Sequence, residues 1–405
     1  MNDLLVQLDD LPDEILMYIF KKLYNDEVLY SLMDVNQRLN RILHDRIFTR
    51  HLRLLKYCRI DNSTIPLPDS ILHRFCSKIL PKIGHQIETL YLERTSIERA
   101  LHATNYINLK KLGLCDIQYK DAMSLFTDDF DESIVALLRR MLNLEELDLN
   151  IQVQCYEKFI DGDTLKKDII IYMPQLYKLT FNICSIINHR DQTIFPLNED
   201  IQKTFKYFSN NQIITCIDHF QEEGCSQCHI YSYPYKWKVY NYITNNFPGG
   251  LFTSVTQVSL YDERPFEHEF FLRIQKSFPY LKELTINNRK AQNNKQLIKL
   301  NNDYQILSII EYPYLTRLNI IKTHDDYVEF FLFDTKISLP NNLHLCVDYQ
   351  SLKRVTYDFT RYITRNHSSK LAALYLSTLD QIDEHIKNYF PHAYFRCFAD
   401  FVLSN

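Results

Sequence analysis

The stretch that decides the fold of the first part of this chain is LDDLPDEILMYIFKKLYNDEVLYSLMDVNQRLNRILHD, residues 8–45. Pro12 precedes two acidic residues, an order typical of a first helical turn, because proline needs no N–H partner there and carboxylates interact favourably with the helix dipole. Ile15, Ile19 and Leu23 then recur at helical spacing. Two further apolar patterns in the same stretch predict a second and a third short helix.

Three short amphipathic helices leave much apolar surface uncovered, because a domain this small buries only part of the surface of its chain. Two interpretations are open at this point. The helices are either a cap on a larger domain, or they carry a docking face for a helix of a partner protein.

The residues of this stretch also resemble an F-box. The resemblance is carried by Leu11, Pro12, Asp13, Glu14, Ile15, Ile19, Leu23, Leu32, Val35, Asn36, Arg38, Leu39 and Ile42. Asn36 and Leu39 stand where many F-boxes have a cysteine and an aromatic residue. The resemblance implies a three-helix F-box head over residues 1–60. Such a head binds the Skp adaptor of a cullin-RING ubiquitin ligase of the SCF type, while the rest of the chain holds the substrate. The side chains implied to contact the adaptor are Leu11, Pro12, Ile15, Leu16, Ile19, Leu23, Leu32 and Val35.

The composition of the chain excludes several classes of function. Hydrophobic residues make up 46% of the chain and charged residues 24%, as in globular proteins. A net charge of −4 provides no electrostatic basis for binding nucleic acid or an anionic membrane. No window approaches the roughly 20 apolar residues of a membrane span. With only six glycines, the chain lacks the glycine-rich nucleotide-binding loops and the G-x-S-x-G hydrolase motif.

The first residues, MNDLLVQLDDLPDE, have no basic segment ahead of an apolar one and therefore do not resemble a secretory signal. The ten cysteines are scattered, mostly within apolar stretches. We therefore expect reduced thiols and a location in the cytoplasm, the nucleus or both.

A short pattern, L-x-x-L-x-L, recurs along the chain and predicts a strand at each occurrence. It is found at residues 87–92, 109–114, 144–149, 176–181, 255–260, 281–286 and 315–320. Helical patterns lie between strands, at residues 130–141, 265–278 and 378–390. Strand followed by helix at an irregular period is typical of a leucine-rich-repeat solenoid. The alternative is an α/β domain whose parallel strands merely resemble repeats.

The fold class predicted for the whole chain is therefore α/β, with a helical head followed by an irregular leucine-rich-repeat-like solenoid over residues 61–405. Residues 47–56 are predicted to form one more helix beneath the head. Residues 61–68 contain two prolines and are therefore predicted to form a linker. The long gap between residues 181 and 255 indicates an irregular insertion at about residues 185–252, with one or two degenerate repeats.

The polar residues that flank each L-x-L are the candidate substrate contacts, because alternate side chains of a strand point to opposite faces. Their charges are mixed, so no class of ligand is selected. The candidates are Glu146, Asp148, Lys178, Tyr261, Glu283 and Arg317.

One cysteine-rich segment is a candidate metal site. Cys225 and Cys228 are separated by two residues, and Cys216 and His219 lie just upstream. This spacing fits a zinc knuckle, although a second C-x-x-C pair is absent. The C-x-x-C-H order also occurs in haem c attachment, which requires an exported chain. The remaining alternative is a surface turn with thiols and no metal, so no metal or cofactor is assigned.

No nucleophile, base or metal constellation is recognisable, so we expect no enzymatic activity and no cofactor. The leading hypothesis is an adaptor that binds the Skp adaptor through its head and an unknown protein target through its repeats. A second hypothesis is a repeat-based interaction scaffold whose head is only a cap. A third is an enzyme with an unrecognised site at about residues 150–255. The aromatic run at residues 231–252 either fills an irregular core or forms a binding loop.

Overall fold

The computed structural model describes residues 11–57, 64–117, 141–155, 158–188, 196–208, 212–293, 308–333, 337–361, 370–377 and 384–397. The fold is mixed α/β, with helices at the N-terminus and a sheet-rich remainder. Contacts divide the chain into two compact units. The first contains Met1–Ile217 and Ser226–Ser232, and the second contains Asp218–Cys225 and Tyr233–Asn405. The boundary predicted at residue 60 and the insertion predicted at about residues 185–252 stay predictions.

The three helices predicted at the start of the chain are confirmed, and a fourth short helix follows them. Their bounds are α1, Asp13–Phe20; α2, Asn25–Leu32; α3, Gln37–Leu43; and α4, Arg46–Thr49. Asn36 is the N-cap of α3, because its side-chain oxygen accepts a hydrogen bond from the backbone N–H of Leu39 at 2.7 Å.

The helix predicted over residues 47–56 is wrong beyond Thr49. The chain instead forms strand β1, His51–Leu54, in which exposed and buried residues alternate. Leu52 and Leu54 enter the core, and the backbone pairs with a later strand. The period-2 burial of this segment, together with the available sheet edge, outweighs its helical propensity.

Eight more strands complete the set that belongs wholly or partly to the first unit. They are β2, Lys56–Tyr57; β3, Thr64–Ile65; β4, Thr89–Glu93; β5, Lys111–Ile117; β6, Glu146–Cys155; β7, Lys178–Asn188; β8, Gln212–Phe220; and β9, Cys225–Tyr233. Seven strands form one sheet in the order β1-β4-β5-β6-β7-β9-β8, and the pairs from β1 to β7 are parallel. The short strands β2 and β3 pair with each other in antiparallel fashion.

Helices alternate with the strands of the first sheet. They are α5, Asp69–Arg74; α6, Leu80–Ile83; α7, Ile97–Ala103; α8, Gly162–Asp168; and α9, Asn198–Thr204, with a π-helical segment, Phe75–Ile79, joining α5 to α6. One continuous hydrophobic core extends from Leu16 in the head to Ile230 in β9. The head therefore shares its core with the sheet of the first unit.

The second unit is built around its own parallel sheet. Its strands are β10, Val239–Ile243; β11, Gln257–Tyr261; β12, Glu283–Asn288; β13, Ile310–Glu311; β14, Arg317–Thr323; β15, Ile337–Ser338; β16, Leu343–Val347; β17, Leu371–Leu376; and β18, Tyr394–Cys397. Its helices are α10, His268–Ser277; α11, Asp325–Phe333; α12, Tyr349–Val355; and α13, Glu384–Tyr389. Seven strands pair in parallel in the order β10-β11-β12-β14-β16-β17-β18, while β13 and β15 form a separate pair.

Most of the aromatic run at residues 231–252, from Tyr233 onwards, lies in the second unit and contributes to its core. Tyr240 and Phe252 are buried, with ring centroids 5.4 Å apart, and Phe252 stacks on Phe278 at 5.0 Å. Tyr235 and Phe247 join the same cluster. For these residues the structure favours the core alternative over a binding loop.

Each of the seven L-x-x-L-x-L patterns contains a strand, which begins two residues after the first apolar residue of the pattern. Of the helical patterns, the one at residues 265–278 is confirmed as α10. Residues 130–140 and 378–383 lie outside the described residues, and α13 occupies the described part of the last pattern. Within the described ranges, no helix combines the length and the apolar character that crossing a membrane requires.

Candidate functional site

Helix α1 has two apolar rows, and the described residues of the protein bury only one of them. Leu16 and Phe20 are buried, and Phe20 packs edge-on against Phe48 with ring centroids 6.3 Å apart. Ile15 is 46% exposed and Ile19 is 38% exposed, and they form the neighbouring apolar row, about 100° around the helix. Such a contiguous row of exposed branched side chains is what a helix-docking surface requires.

The eight side chains implied to contact an adaptor differ in where the structure places them. Pro12, Ile15, Ile19, Leu23 and Val35 are exposed. Leu11 and Leu32 are partly buried and pack against the core. Leu16 is 0% exposed, so its assignment to a partner surface is corrected: it belongs to the core of the first unit. We call Pro12, Ile15, Ile19, Leu23 and Val35 the head surface.

Ion pairs hold the start of α1 against α3. Asp13 accepts hydrogen bonds from Arg38 Nε at 2.7 Å and from Arg41 at 2.8 Å. The hydrogen bond from Arg38, followed by that from Arg41, holds the pKa of Asp13 below its ordinary value despite partial desolvation. Arg38 also donates to the backbone carbonyl of Leu11. The exposed face of α1 is therefore presented in a defined orientation.

Two polar rows cross the first sheet on the face opposite its leucine core. In the first row Glu146 lies between two lysines, with Oε2 at 2.6 Å from Lys111 Nζ and 3.3 Å from Lys178 Nζ. The hydrogen bond from Lys111, with that from Lys178, lowers the pKa of Glu146 to about 2. Two of the candidate substrate contacts, Glu146 and Lys178, are therefore already paired with each other.

The second row is organised by a tyrosine. Tyr91 O–H donates to Asp148 Oδ2 at 3.2 Å across Gly113, and Thr180 O–H donates to the other carboxylate oxygen. Burial is the main reason that the pKa of Tyr91 is raised to about 12. Asp148 is only 4% exposed, so its predicted role as an exposed substrate contact is corrected to a buried acceptor that orients Tyr91.

The three remaining substrate candidates lie in the second unit. Glu283 and Arg317 face each other in the parallel pairing of β12 with β14, and both are half-buried. Tyr261 packs its ring 5.1 Å from that of Phe220. Burial, with the neighbouring Glu223, raises the pKa of Tyr261 well above its usual range. The predicted set is thus divided between the two units, with three members in each.

The four candidate zinc ligands lie on two strands. Cys216 and His219 are in β8, and Cys225 and Cys228 are in β9. Throughout the described ranges, which include these four residues, no group of three or more His, Cys, Asp and Glu side chains is placed so that it could hold a metal ion. Burial and nearby carboxylates raise the pKa of the Cys225 thiol to about 11, which disfavours a thiolate there.

The histidine of the C-x-x-C-H order is His229, which was considered from the sequence only in connection with haem c attachment. His229 is buried in the first unit, and its Nε2 lies 2.6 Å from Asn182 Oδ1. Burial lowers the pKa of His229 to about 4, so the ring is neutral near neutral pH. Its place beside Asn182 on the polar face identifies it as a structural residue of that face.

A cleft of about 480 Å³ lies in the first unit where the turn between α1 and α2 meets the first strands of the sheet. Its lining residues are Leu23, Tyr24, Asn25, Asp26, His51, Leu52, Arg53, Thr89, Tyr91 and Lys111. Of these, only Leu23 was a candidate from the sequence. The alternation that pointed to Glu146 also holds for Tyr91 and Lys111, so the same signal identifies those two.

Comparison with known proteins bears on the head of the chain. A family model described as F-box-like matches residues 8–54, and the match ends at the last residue of β1. No curated protein matches the chain. The first part of the chain is therefore an F-box-like domain. Such domains generally bind the Skp adaptor within cullin-RING ligases, which suggests an SCF-type adaptor role in general.

Proposed function

We propose that this protein is a substrate-recognition adaptor of an SCF-type ubiquitin ligase, with the head surface as the docking site for the Skp adaptor. The observation that carries the proposal is that Ile15 and Ile19 are exposed on α1 while Leu16 and Phe20 of the same helix are buried, within the segment that matches an F-box-like domain. Leu23, in the turn that follows α1, is also exposed. Desolvating such a row on a partner groove supplies most of the free energy of a helix-docking interface.

The repeats are the proposed target-binding part. Within each of the two seven-stranded sheets, successive L-x-x-L-x-L strands are parallel neighbours, and helices alternate with many of them, which supports a leucine-rich-repeat-like architecture. We infer no enzymatic activity of the chain itself and a location in the cytoplasm, the nucleus or both. Catalysis then consists of holding a target protein near the ligase.

Calorimetric titration of the purified full chain with a Skp adaptor tests the docking site. Ile15→Asp and Ile19→Asp each place a carboxylate in the proposed interface, so we expect affinity to fall by at least about tenfold. Ile107→Asp is the matched control, because Ile107 is an exposed isoleucine of the first unit outside the F-box-like segment. Wild-type protein that does not bind, or head variants that bind as tightly as the control, would disprove the proposal.

The continuity of the core favours a second candidate function. Because the head and the first sheet share one hydrophobic core, the head also acts as a cap for the sheet. An interaction scaffold without ligase contact would need the head for stability alone. The same titration separates the two functions, since a scaffold predicts no adaptor binding by the wild-type chain.

A further inference from the structure

The cleft at the junction of the head and the first sheet has two chemically different sides. Leu23 and Tyr24, on the turn after α1, are exposed and form its apolar side. Arg53, Thr89 and Tyr91, on β1 and β4, form its polar side. Its volume of about 480 Å³ falls within the range of ligand pockets, about 300–1,000 Å³.

The turn and the strands are held together by several contacts. Asn25 Nδ2 donates to the backbone carbonyl of His51 at 3.0 Å and to that of Ile47 at 3.3 Å. Arg46 and Arg50, which lead into β1, both pair with the buried carboxylate of Glu88 just before β4. The two sides of the cleft are thus fixed relative to each other, which lowers the entropic cost of binding a ligand.

Arg53 differs from the other cations around the cleft. Lys111 pairs with Glu146 at 2.6 Å, and Arg50 pairs with Glu88 at 2.8 Å. In the part of the chain that the structure describes, Arg53 makes no ion pair. Its guanidinium instead lies 5.3 Å from the ring centroid of Tyr91, the residue opposite it in the strand pairing.

This arrangement suits a carboxylate ligand. A guanidinium stacked on an aromatic ring keeps its planar array of N–H donors at the ring edge, where it matches the two oxygens of a carboxylate. The hydrogen bond from Tyr91 O–H to Asp148 Oδ2, at 3.2 Å, favours this orientation of the ring. His51, also in the cleft, has its pKa lowered mainly by burial; the charges of Arg50 and Arg53 add to this lowering, and that of Glu88 opposes it.

We propose that the cleft binds a short segment of a target protein in which one Asp or Glu pairs with Arg53 and an adjacent apolar side chain packs on Tyr24, which lies outside the head surface. That the segment belongs to a ligase target rests on the proposed function, whereas the binding chemistry of the cleft does not. Asp26 also lines the cleft and would repel a second carboxylate. The segment therefore carries a single acidic residue with apolar neighbours rather than an acidic run.

Fluorescence anisotropy of the full chain with labelled peptides tests the proposal. The probes are Ser-Gly-Leu-Glu-Leu-Gly-Ser and its analogues with Gln, with Lys, or with three consecutive Glu at the centre. We expect the Glu peptide to bind about tenfold more tightly than the Gln peptide, as a charge-assisted hydrogen-bonded pair provides. We expect the Lys peptide and the triple-Glu peptide to bind more weakly than the single-Glu peptide.

Three variants test whether Arg53 causes the preference for the Glu peptide over the Gln peptide. Arg53→Gln should abolish the preference for Glu over Gln, and Arg53→Lys should retain part of it, because lysine keeps the charge but not the planar donors. Arg99→Gln, which changes an arginine of α7 outside the cleft, is the matched control and should leave the preference intact. Circular dichroism confirms that each variant is folded.

Several outcomes would overturn the proposal. These are equal binding of the Glu and Gln peptides to the wild type, a preference that survives in Arg53→Gln, or displacement of the peptide by inorganic phosphate as effectively as by unlabelled peptide. The assay contains no Skp adaptor, so its result is independent of adaptor docking. A peptide preference without adaptor binding would disprove the proposed function alone, and the reverse result would disprove this inference alone.

Discussion

The ring of Tyr91 lies over Gly113 on the neighbouring strand, so closely that a Cβ atom at residue 113 would be 2.1 Å from Tyr91 Cδ1. Glycine is needed there because the ring occupies the space that a side chain would fill. The absence of a side chain also lets the Tyr91 hydroxyl reach Asp148 on the next strand but one. Gly113 thus allows the position of the Tyr91 ring, which belongs to the polar face and also lines the cleft.

Replacing Gly113 with alanine should destabilise the first unit. The new methyl group must displace the Tyr91 ring, and overpacking of this kind costs about 1–3 kcal/mol of unfolding free energy. Urea denaturation measures the loss. The double variant Gly113→Ala with Tyr91→Ala should lose less than the sum of the two single variants, because the clash is then absent. Strict additivity of the two single variants would contradict this explanation.

Glu146 should make the stability of the first unit depend on pH in the acid range. Its folded pKa of about 2 lies below its ordinary value of 4.5, because Lys111 and Lys178 stabilise the carboxylate. A lowered folded pKa means that this stabilisation is fully present above about pH 4.5 and is lost as the pH falls towards 2. Thermal melting between these values should show a steeper loss for the wild type than for Glu146→Gln. Lys111→Met should flatten the profile too, and parallel profiles for all three proteins would refute the assignment.

His229 should also make the stability of the first unit depend on pH, but at a higher pH than Glu146 does. Because burial lowers its folded pKa to about 4, the unfolded chain takes up a proton at higher pH than the folded chain does. Stability is therefore expected to fall as the pH decreases from about 6.5 to about 4. His229→Gln keeps an amide donor near Asn182 and should remove this component. The measurement is the urea midpoint across that range, and an unchanged slope in the variant would count against a buried neutral histidine.

Adjacent residues of α1 should respond very differently to truncation. Leu16 is completely buried, so Leu16→Ala should cost about 2–5 kcal/mol of unfolding free energy through lost burial and a cavity. Ile15 is 46% exposed, so Ile15→Ala should change stability by no more than about 0.5 kcal/mol. Denaturation of both variants checks the contrast. Similar losses at the two positions would show that α1 packs with a different face inward.

Much of the local structure was predictable, and the reason is periodicity. The spacing of Ile15, Ile19 and Leu23 predicted a helix, and the alternation in L-x-x-L-x-L predicted strands where the structure has them. The one clear failure, over residues 47–56, came from reading a short apolar run as helical. His51–Leu54 is too short for its period to be decisive, and its partner β4 is distant along the chain.

By itself the sequence determined the type of the long periodic elements that fall within the described residues, the F-box-like character of residues 8–54 and which side of the L-x-x-L-x-L strands is polar. Only the tertiary structure decided that Leu16 rather than Ile15 faces the core, because two adjacent apolar rows on one helix are equivalent until another element covers one of them. It also decided that Asp148 is buried and that Arg53 meets Tyr91. Both depend on parallel pairing between strands far apart in the chain, and no local pattern encodes which strands become neighbours.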